Sequence, residues 1–291
     1  GGLVPAGFEA TGGLGTGGGL GNQGALVLTG NERYLYAVNA GSDSISAFEV
    51  IPTGLRLIAT VPAGGRRPIS MTIHSRLLYV LNAGGSMGEM DRVVGFRLGN
   101  DGVPVPIEGA TLTLSAPSTG PAQVSFTSGG THLVVTEKMT NLIDVIALGE
   151  DGRPVSLASF LSAGATPFGF AVGKRDQIFV SEAFGGAPGL SAVSSYEIGP
   201  DGALVVLDPS VPSTETAACW VVVTNDGRFA FETNTGSGTV SGFAIEHDGS
   251  LRLLDDDGVT GKTGLNSGPI DMALSNNGRY LFTLNRGAGT I

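Results

Sequence analysis

An apolar run that ends in an amide or an acid recurs six times along the chain, and this recurrence constrains the fold more than any other feature. The copies are Leu35-Tyr36-Ala37-Val38-Asn39, Leu78-Tyr79-Val80-Leu81-Asn82, Leu133-Val134-Val135-Thr136-Glu137, Ile178-Phe179-Val180-Ser181-Glu182, Phe229-Ala230-Phe231-Glu232-Thr233-Asn234 and Tyr280-Leu281-Phe282-Thr283-Leu284-Asn285. Their last residues are spaced by 43, 55, 45, 52 and 51 positions. Self-similarity at a period near 50 is the mark of a repeat architecture, in which each unit buries its apolar face against the next.

One repeat shows what each unit is. Gly24-Ala25-Leu26-Val27-Leu28 suits a strand buried on both faces, and Arg33 to Asn39 reads as a second strand rich in Tyr and Val. Ser44 to Val50 alternates as a strand with one buried face, and Leu55 to Thr60 is the fourth. No helical period interrupts them. Turn signals fall in phase: Asp101-Gly102, Asp151-Gly152, Asp201-Gly202 and Asp248-Gly249 lie between third and fourth strands. Asp226-Gly227 and Asn277-Gly278 lie between first and second. Such dipeptides suit two-residue hairpins. Four-stranded antiparallel units at this period predict an all-β fold, a β-propeller of stacked blades.

We expect one domain over 1–291, with five complete blades and partial first and last ones. The segment from Gly2 to Phe8 matches a fourth strand, and Gly289-Thr290-Ile291 enters a third. This phase predicts seven blades in the parent fold, with six as the alternative, and a chain that starts and ends mid-blade.

Composition narrows the function classes. Forty-eight glycines and 15 prolines fit many tight turns, while 41% hydrophobic and 14% charged residues exclude general disorder. With 26 Asp and Glu against 16 Lys and Arg, no basic run offers a nucleic acid or an anionic membrane a surface. Cys219 is the only cysteine, which excludes an intrachain disulfide and a multi-thiolate zinc site. The compartment is not fixed by these features.

The blade-entry elements Ala165-Thr166-Pro167 and Gly268-Pro269-Ile270, with the Asn276-to-Asn285 run, resemble the lactonase family of seven-bladed propellers. That family holds propeller-type 6-phosphogluconolactonases and 3-carboxymuconate cyclases. Gly120-Pro121-Ala122-Gln123, Val180 to Gly186 and Ala217-Ala218-Cys219-Trp220 are similar to a bacterial lactonase-like branch. The resemblance runs over essentially the whole chain. It implies opening or closing of a lactone ring, in carbohydrate metabolism, at one mouth of the central channel. Family enzymes typically carry a histidine two residues after the entry proline. Here Ser70, Gln123, Gly169 and Asp271 stand at the matching positions, with Gly24 and Trp220 in the same column without a proline. His74, His132 and His247 lie elsewhere and read as surface turn residues.

Two columns therefore stand as candidates for the site. One is the entry column, with Gln123, Trp220 and Asp271. The other is the strand-end column of Asn39, Asn82, Glu137, Glu182, Asn234 and Asn285. Its two acids on adjacent blades suit an acid/base pair whose environments separate their pKa values. Lys138 and Arg286, one step past the column, suit anion or oxyanion binding. The alternative is that the amides and acids tie blade backbones together, and that Trp220 packs between blades.

Other motifs fail on context. The G-x-G-x-x-G matches within Gly13–Gly24 precede a strand and no helix, so they read as a loop. Gly84-Gly85-Ser86-Met87-Gly88 sits in a strand–strand connection rather than a nucleophile elbow. Asp255-Asp256-Asp257-Gly258 reads as a solvated turn, and Gly261-Lys262-Thr263 lacks the first glycine of a phosphate loop.

The expected function is a lactonase-like hydrolase or cyclase acting on a small anionic lactone. Glu137, Glu182 and Arg286 are the expected catalytic residues. Lys138, Gln123, Trp220, Asn39, Asn82, Asn234, Asn285 and Asp271 are the expected substrate contacts. No cofactor is expected, although acids and amides at the channel mouth leave a divalent metal open. The alternative is a non-catalytic propeller that binds a ligand or a protein partner on one face.

Overall fold

The computed structural model describes residues 3–4 and 6–291. Its strands form antiparallel sheets taken in chain order, each strand paired with its neighbour in sequence. Leu26–Leu28, Tyr34–Asn39, Ser44–Ile51 and Gly54–Pro62 (β1–β4) form the first blade. Pro68–His74, Leu77–Asn82, Arg92–Leu98 and Pro104–Thr113 (β5–β8) form the second. The third is Pro121–Phe126, His132–Glu137, Leu142–Leu148 and Pro154–Leu161 (β9–β12). The fourth is Pro167–Val172, Gln177–Glu182, Ala192–Ile198 and Leu204–Pro212 (β13–β16). Ala218–Val223, Phe229–Asn234, Thr239–Ile245 and Leu251–Leu253 (β17–β20) form the fifth, with Gly261–Lys262 (β21) also paired to β19. Pro269–Leu274 and Leu281–Asn285 (β22, β23) form a two-stranded sheet. These are the blades of a β-propeller. The chain divides into two compact units, 1–126 with 130–135 and 144–159, and 127–129 with 136–143 and 160–291.

The recurrent apolar runs are the second strands, and their continuity reflects burial on both faces. Every residue of β10 and of β14 is buried. Fourth strands instead mix half-buried and exposed positions, as in β4 and β12. In the first unit, Tyr36, Ile45, Leu78, Val80 and Phe96 share one core. In the second, Phe179, Val193, Val221 and Phe243 share another. Each such side chain taken from water stabilises the fold by roughly 1.5–3 kcal/mol.

Three local expectations change. β1 is not buried on both faces: Val27 packs on the first core, while Leu26 and Leu28, pointing the other way, are 62% and 45% exposed. The Asp-Gly turns are not two-residue hairpins. The third-to-fourth connections span 99–103, 149–153, 199–203 and 246–250, and only the glycine takes a positive φ, from 80° to 88°. Each aspartate instead accepts a hydrogen bond from the backbone N–H two residues on, as Asp101 does from Val103 at 3.1 Å. Leu3, Val4 and Ala6–Phe8, expected as a fourth strand, carry no strand; Gly1, Gly2 and Pro5 lie outside the described residues. A strand is made by ladder hydrogen bonds, and this segment joins none of the sheets.

The Gly-rich stretch is a loop, as expected. It packs along the first unit: Leu14 N–H bonds Ser42 Oγ at 2.9 Å, Gly41 N–H bonds Leu14 O at 2.8 Å, and Gln23 N–H bonds Ala122 O at 3.1 Å. At the other end, Thr290 makes an isolated bridge to Asn285. No helix among the described residues is long and apolar enough to cross a membrane.

Candidate functional site

The first, or inner, strands β5, β9, β13, β17 and β22 share a built entrance. The residue before each lies in the left-handed region: Arg67 (φ 53°), Gly120 (61°), Thr166 (60°), Ala217 (58°) and Gly268 (57°). For an L-residue this conformation costs about 1–2 kcal/mol, so something must hold it. Side chains from the turns between second and third strands do so. Asp43 Oδ1 accepts Arg67 N–H at 2.7 Å, and Asn141 Oδ1 accepts Thr166 N–H at 2.7 Å. Asp91 accepts Thr119 N–H at 2.7 Å and Thr119 Oγ1–H at 2.9 Å, while its other oxygen takes Gly85 N–H at 2.7 Å. The only sequence signal of these clasps is an Asp or Asn shortly after each strand-end residue.

Immediately after the entry residue, the pairing register slips by one. This occurs between Pro68 and Ser70, Pro167 and Phe170, Ala218 and Val221, and Pro269 and Asp271. Such bulges re-aim the side chains they contain. In the second unit they bring together Phe168, Cys219, Trp220, Ile270 and Met272. The Phe168 and Trp220 rings lie 5.5 Å apart, and Lys138 Nζ sits 4.8 Å above the Phe168 ring. Arg286 N–H bonds Gly268 O at 3.1 Å, which anchors that residue beside the entry of β22. Met272 N–H donates to Asp271 Oδ1 at 2.8 Å.

Access separates the expected residues. Lys138 is half-buried, and Asp271 and Arg286 are exposed. Surrounding protein nevertheless raises the Asp271 carboxyl pKa, with the Met272 N–H opposing the rise. Trp220 and Gln123 are buried, each about 7% exposed. Cys219 is a buried thiol whose pKa desolvation pushes up to about 11, which removes it as a nucleophile.

The strand-end column faces inward throughout. Glu137 and Glu182 are fully buried. Glu137 Oε2 accepts the Thr140 hydroxyl at 2.5 Å. Glu182 Oε1 accepts Gly164 N–H at 2.7 Å and the Ser194 hydroxyl. Burial raises the Glu182 pKa against these donors. Asn39 Nδ2 donates to Ser46 Oγ at 2.7 Å, Asn82 Nδ2 to Ala63 O at 3.3 Å, Asn234 Nδ2 to Ser241 Oγ at 2.8 Å, and Asn285 Nδ2 to Thr290 Oγ1 at 3.3 Å. A Cβ on Gly164 would lie 2.0 Å from Glu182 Oε2, so the chain crossing into the fourth blade seals this carboxylate. In this geometry Asn82 and Glu182 bond the segments that enter their blades, while Asn39, Glu137, Asn234 and Asn285 bond within their own sheet or the turn that follows.

The second unit buries a further acid. Glu232, two residues before Asn234 and on the same strand face, is fully buried and accepts the Ser213 hydroxyl at 2.7 Å. Desolvation, with lesser contributions from Glu182 and Glu215, pushes its pKa up to about 8. An acid in the inward phase of an apolar strand was the available signal.

The histidines divide. His247 lies exposed in a turn, and His74 is half-buried at the end of β5 with its ring 5.6 Å from Phe126. His132 is buried at the start of β10, which corrects its reading as a surface residue. Asp255 to Gly258 is a turn, and no cluster of three or more metal-ligating side chains occurs among the described residues.

Fold and site together define a β-propeller with an aromatic patch and accessible charged groups at the entry end of its inner strands. Residues 4–98 match the family model described as "Lactonase, 7-bladed beta-propeller", so the resemblance to that propeller family is borne out over this part of the chain. No curated protein matches the chain. Among solved structures, a candidate 6-phosphogluconolactonase from Bacteroides fragilis superposes with a TM-score of 0.71 at 19% identity, over 90% of this chain and 77% of that one. The periplasmic gluconolactonase of Pseudomonas aeruginosa gives the same TM-score, identity and coverage. Hydrazine synthase of Kuenenia stuttgartiensis also matches, at a TM-score of 0.64 and 18% identity, over 94% of this chain and 77% of that one. Likeness at these identities establishes the fold, and one fold serves unrelated activities.

Proposed function

We propose that the protein is a lactonase-like hydrolase acting on a small anionic lactone at the entry end of the inner strands. The observation that carries this reading is the bulged entry patch, where Lys138 overlies Phe168 of β13 and Phe168 meets Trp220 of β17, the strand that packs beside β22 with its Asp271. Lys138 and Arg286 supply positive charge for a substrate carboxylate or phosphate. Asp271, with its raised pKa, serves as general base in place of the sealed Glu137 and Glu182. It takes a proton from water as the oxygen attacks the ring carbonyl. The tetrahedral oxyanion then collapses, the ring C–O bond breaks, and Asp271 returns the proton to the leaving alkoxide. The product is the open hydroxy acid. The match to the lactonase family model supports this reaction class.

A non-catalytic binding propeller is the second reading. It is favoured by the burial of both strand-end acids and by the lack of a histidine in the entry column. A panel of neutral and anionic lactones separates the two. Turnover of an anionic lactone is expected, with KM raised about tenfold in Lys138→Ala and Arg286→Ala and neutral lactones little affected. Absence of turnover across the panel would favour the second reading.

A further inference from the structure

A separate feature lies at the opposite end of the first unit's sheets, where β1 turns into β2 and β5 into β6. A cleft of about 490 Å³ there is lined by Thr29, Asn31, Arg33, His74, Ser75 and Arg76, among others. No carboxylate lines it, although the chain as a whole carries a net charge of −10. Arg76 is fixed in place, since its Nε and Nη2 donate to Leu98 O at 3.0 and 2.7 Å, and Nη1 takes part in neither bond. The Arg33 guanidinium lies 5.1 Å from the Tyr34 ring centre, and Tyr34 OH is tied to Asn100 O at 3.2 Å. Its nearest acid is Glu49 at 3.8 Å, which also bonds Arg56. That acid therefore neutralises Arg33 only in part.

A second cleft, of about 380 Å³, shares Arg76, Leu98 and Gly99 with the first and continues over Val105, Pro106 and Ile107. Val105 is 55% exposed there. Arg97, at its edge, is held by Nη2 on Asp151 O at 2.9 Å. One compartment is cationic and the other apolar, and they meet at a guanidinium that is already held in place. A preorganised arginine loses little freedom on pairing with an oxyanion, and an adjoining apolar surface favours a ligand with a hydrocarbon body.

We propose that these joined clefts bind a small amphiphilic acid, with its carboxylate or phosphate against Arg33 and Arg76 and its apolar part along Val105 to Ile107. The proposal is independent of the lactonase reading and uses none of its residues. Hexanoate and hexyl phosphate are suitable probes, titrated calorimetrically against the full chain, with inorganic phosphate and hexanol as half-ligands. One probe at least should saturate at one site per chain and bind more tightly than either half-ligand, and the tighter of the two identifies the head group. Affinity should fall about tenfold or more in Arg33→Gln and fall with added salt. It should be unchanged in Arg228→Gln, an arginine outside both clefts that pairs with Asp226. Because Arg76→Gln also removes bonds to Leu98 O, it is read only where its circular dichroism matches the parent; otherwise amide shifts of Ser75 and Gly99 on titration replace it. No saturation by either probe, or saturation unaffected by Arg33→Gln and leaving those amides unmoved, overturns the proposal.

Discussion

The second strands of the two units tie their neighbours by different chemistry. In the first unit the ties are neutral: Tyr36 OH donates to Gly102 O at 2.7 Å, Tyr79 OH donates to Gly152 O at 2.6 Å, and the strands end in Asn39 and Asn82. In the second unit Phe179 stands where those tyrosines stand, and Ser195, its cross-strand partner, provides the hydroxyl to Gly249 O at 2.6 Å. There the inward polar positions are Glu182 and Glu232, capped by serine hydroxyls. Both solutions satisfy the turn carbonyls, but among the second strands only those of the second unit bury carboxyl groups. Desolvation raises the pKa of Glu182 and of Glu232, so the second unit carries a pH sensitivity that the neutral ties avoid.

The largest effect expected from this difference is on pH stability. The folded pKa of Glu232 is raised to about 8, from an ordinary value of 4.5. The folded protein therefore binds more protons than the unfolded chain between these values. Stability from this group is complete below the ordinary pKa and is lost as pH rises through about 8, by a few kcal/mol. Glu182 acts in the same direction. Hydrogen exchange from Phe229–Asn234 should quicken between pH 6 and 9 beyond the intrinsic base dependence, whereas Tyr34–Asn39 should follow the intrinsic rate alone. Glu232→Gln, which keeps an acceptor for Ser213, should abolish the contrast. Equal pH responses in the two strands would remove it from the account.

Next in size are the hydroxyl ties. Tyr79→Phe leaves Gly152 O without its buried donor and should cost about 1–2 kcal/mol in denaturant unfolding, equally at pH 6 and 9. Ser195→Ala should cost a similar amount, because it is the second unit's version of the same bond. A cost for one and none for the other would show that the two ties are not equivalent. Smallest is the entry strain. Ala217→Gly, at φ 58°, should raise stability by up to about 1 kcal/mol. A loss instead would mean that the methyl group packs usefully enough to outweigh the backbone strain.

The propeller was legible in the chain because sheet packing is written in continuous apolar runs and phased turns, both of which are local. The second strands and the phase of the Asp-Gly turns came through for that reason. The length of those turns did not: Asp-Gly serves a two-residue hairpin and a five-residue connection alike, and flanking residues such as Gly99 and Val103 decide between them. The site was legible only in part. Lys138 and Trp220 could be singled out by type and register, but their grouping with Phe168 depends on one-residue bulges and left-handed entries held by Asn141 and its counterparts. Those are set by contacts 25 or so positions away along the chain, as from Asn141 to Thr166. The strand-end acids stood out by type, while the sealing of Glu182 depends on the crossing segment at Gly164, which carries no motif.

The distinction between sealed acids and an accessible one is most directly tested by comparing Asp271→Asn with Glu182→Gln in a single anionic-lactone hydrolysis assay. The expected result is a fall in kcat of at least about a hundredfold for Asp271→Asn and a kcat within a few-fold of the parent for folded Glu182→Gln. Full activity in Asp271→Asn, with loss in a folded Glu182→Gln, would contradict the assignment and return the chemistry to the blade seam.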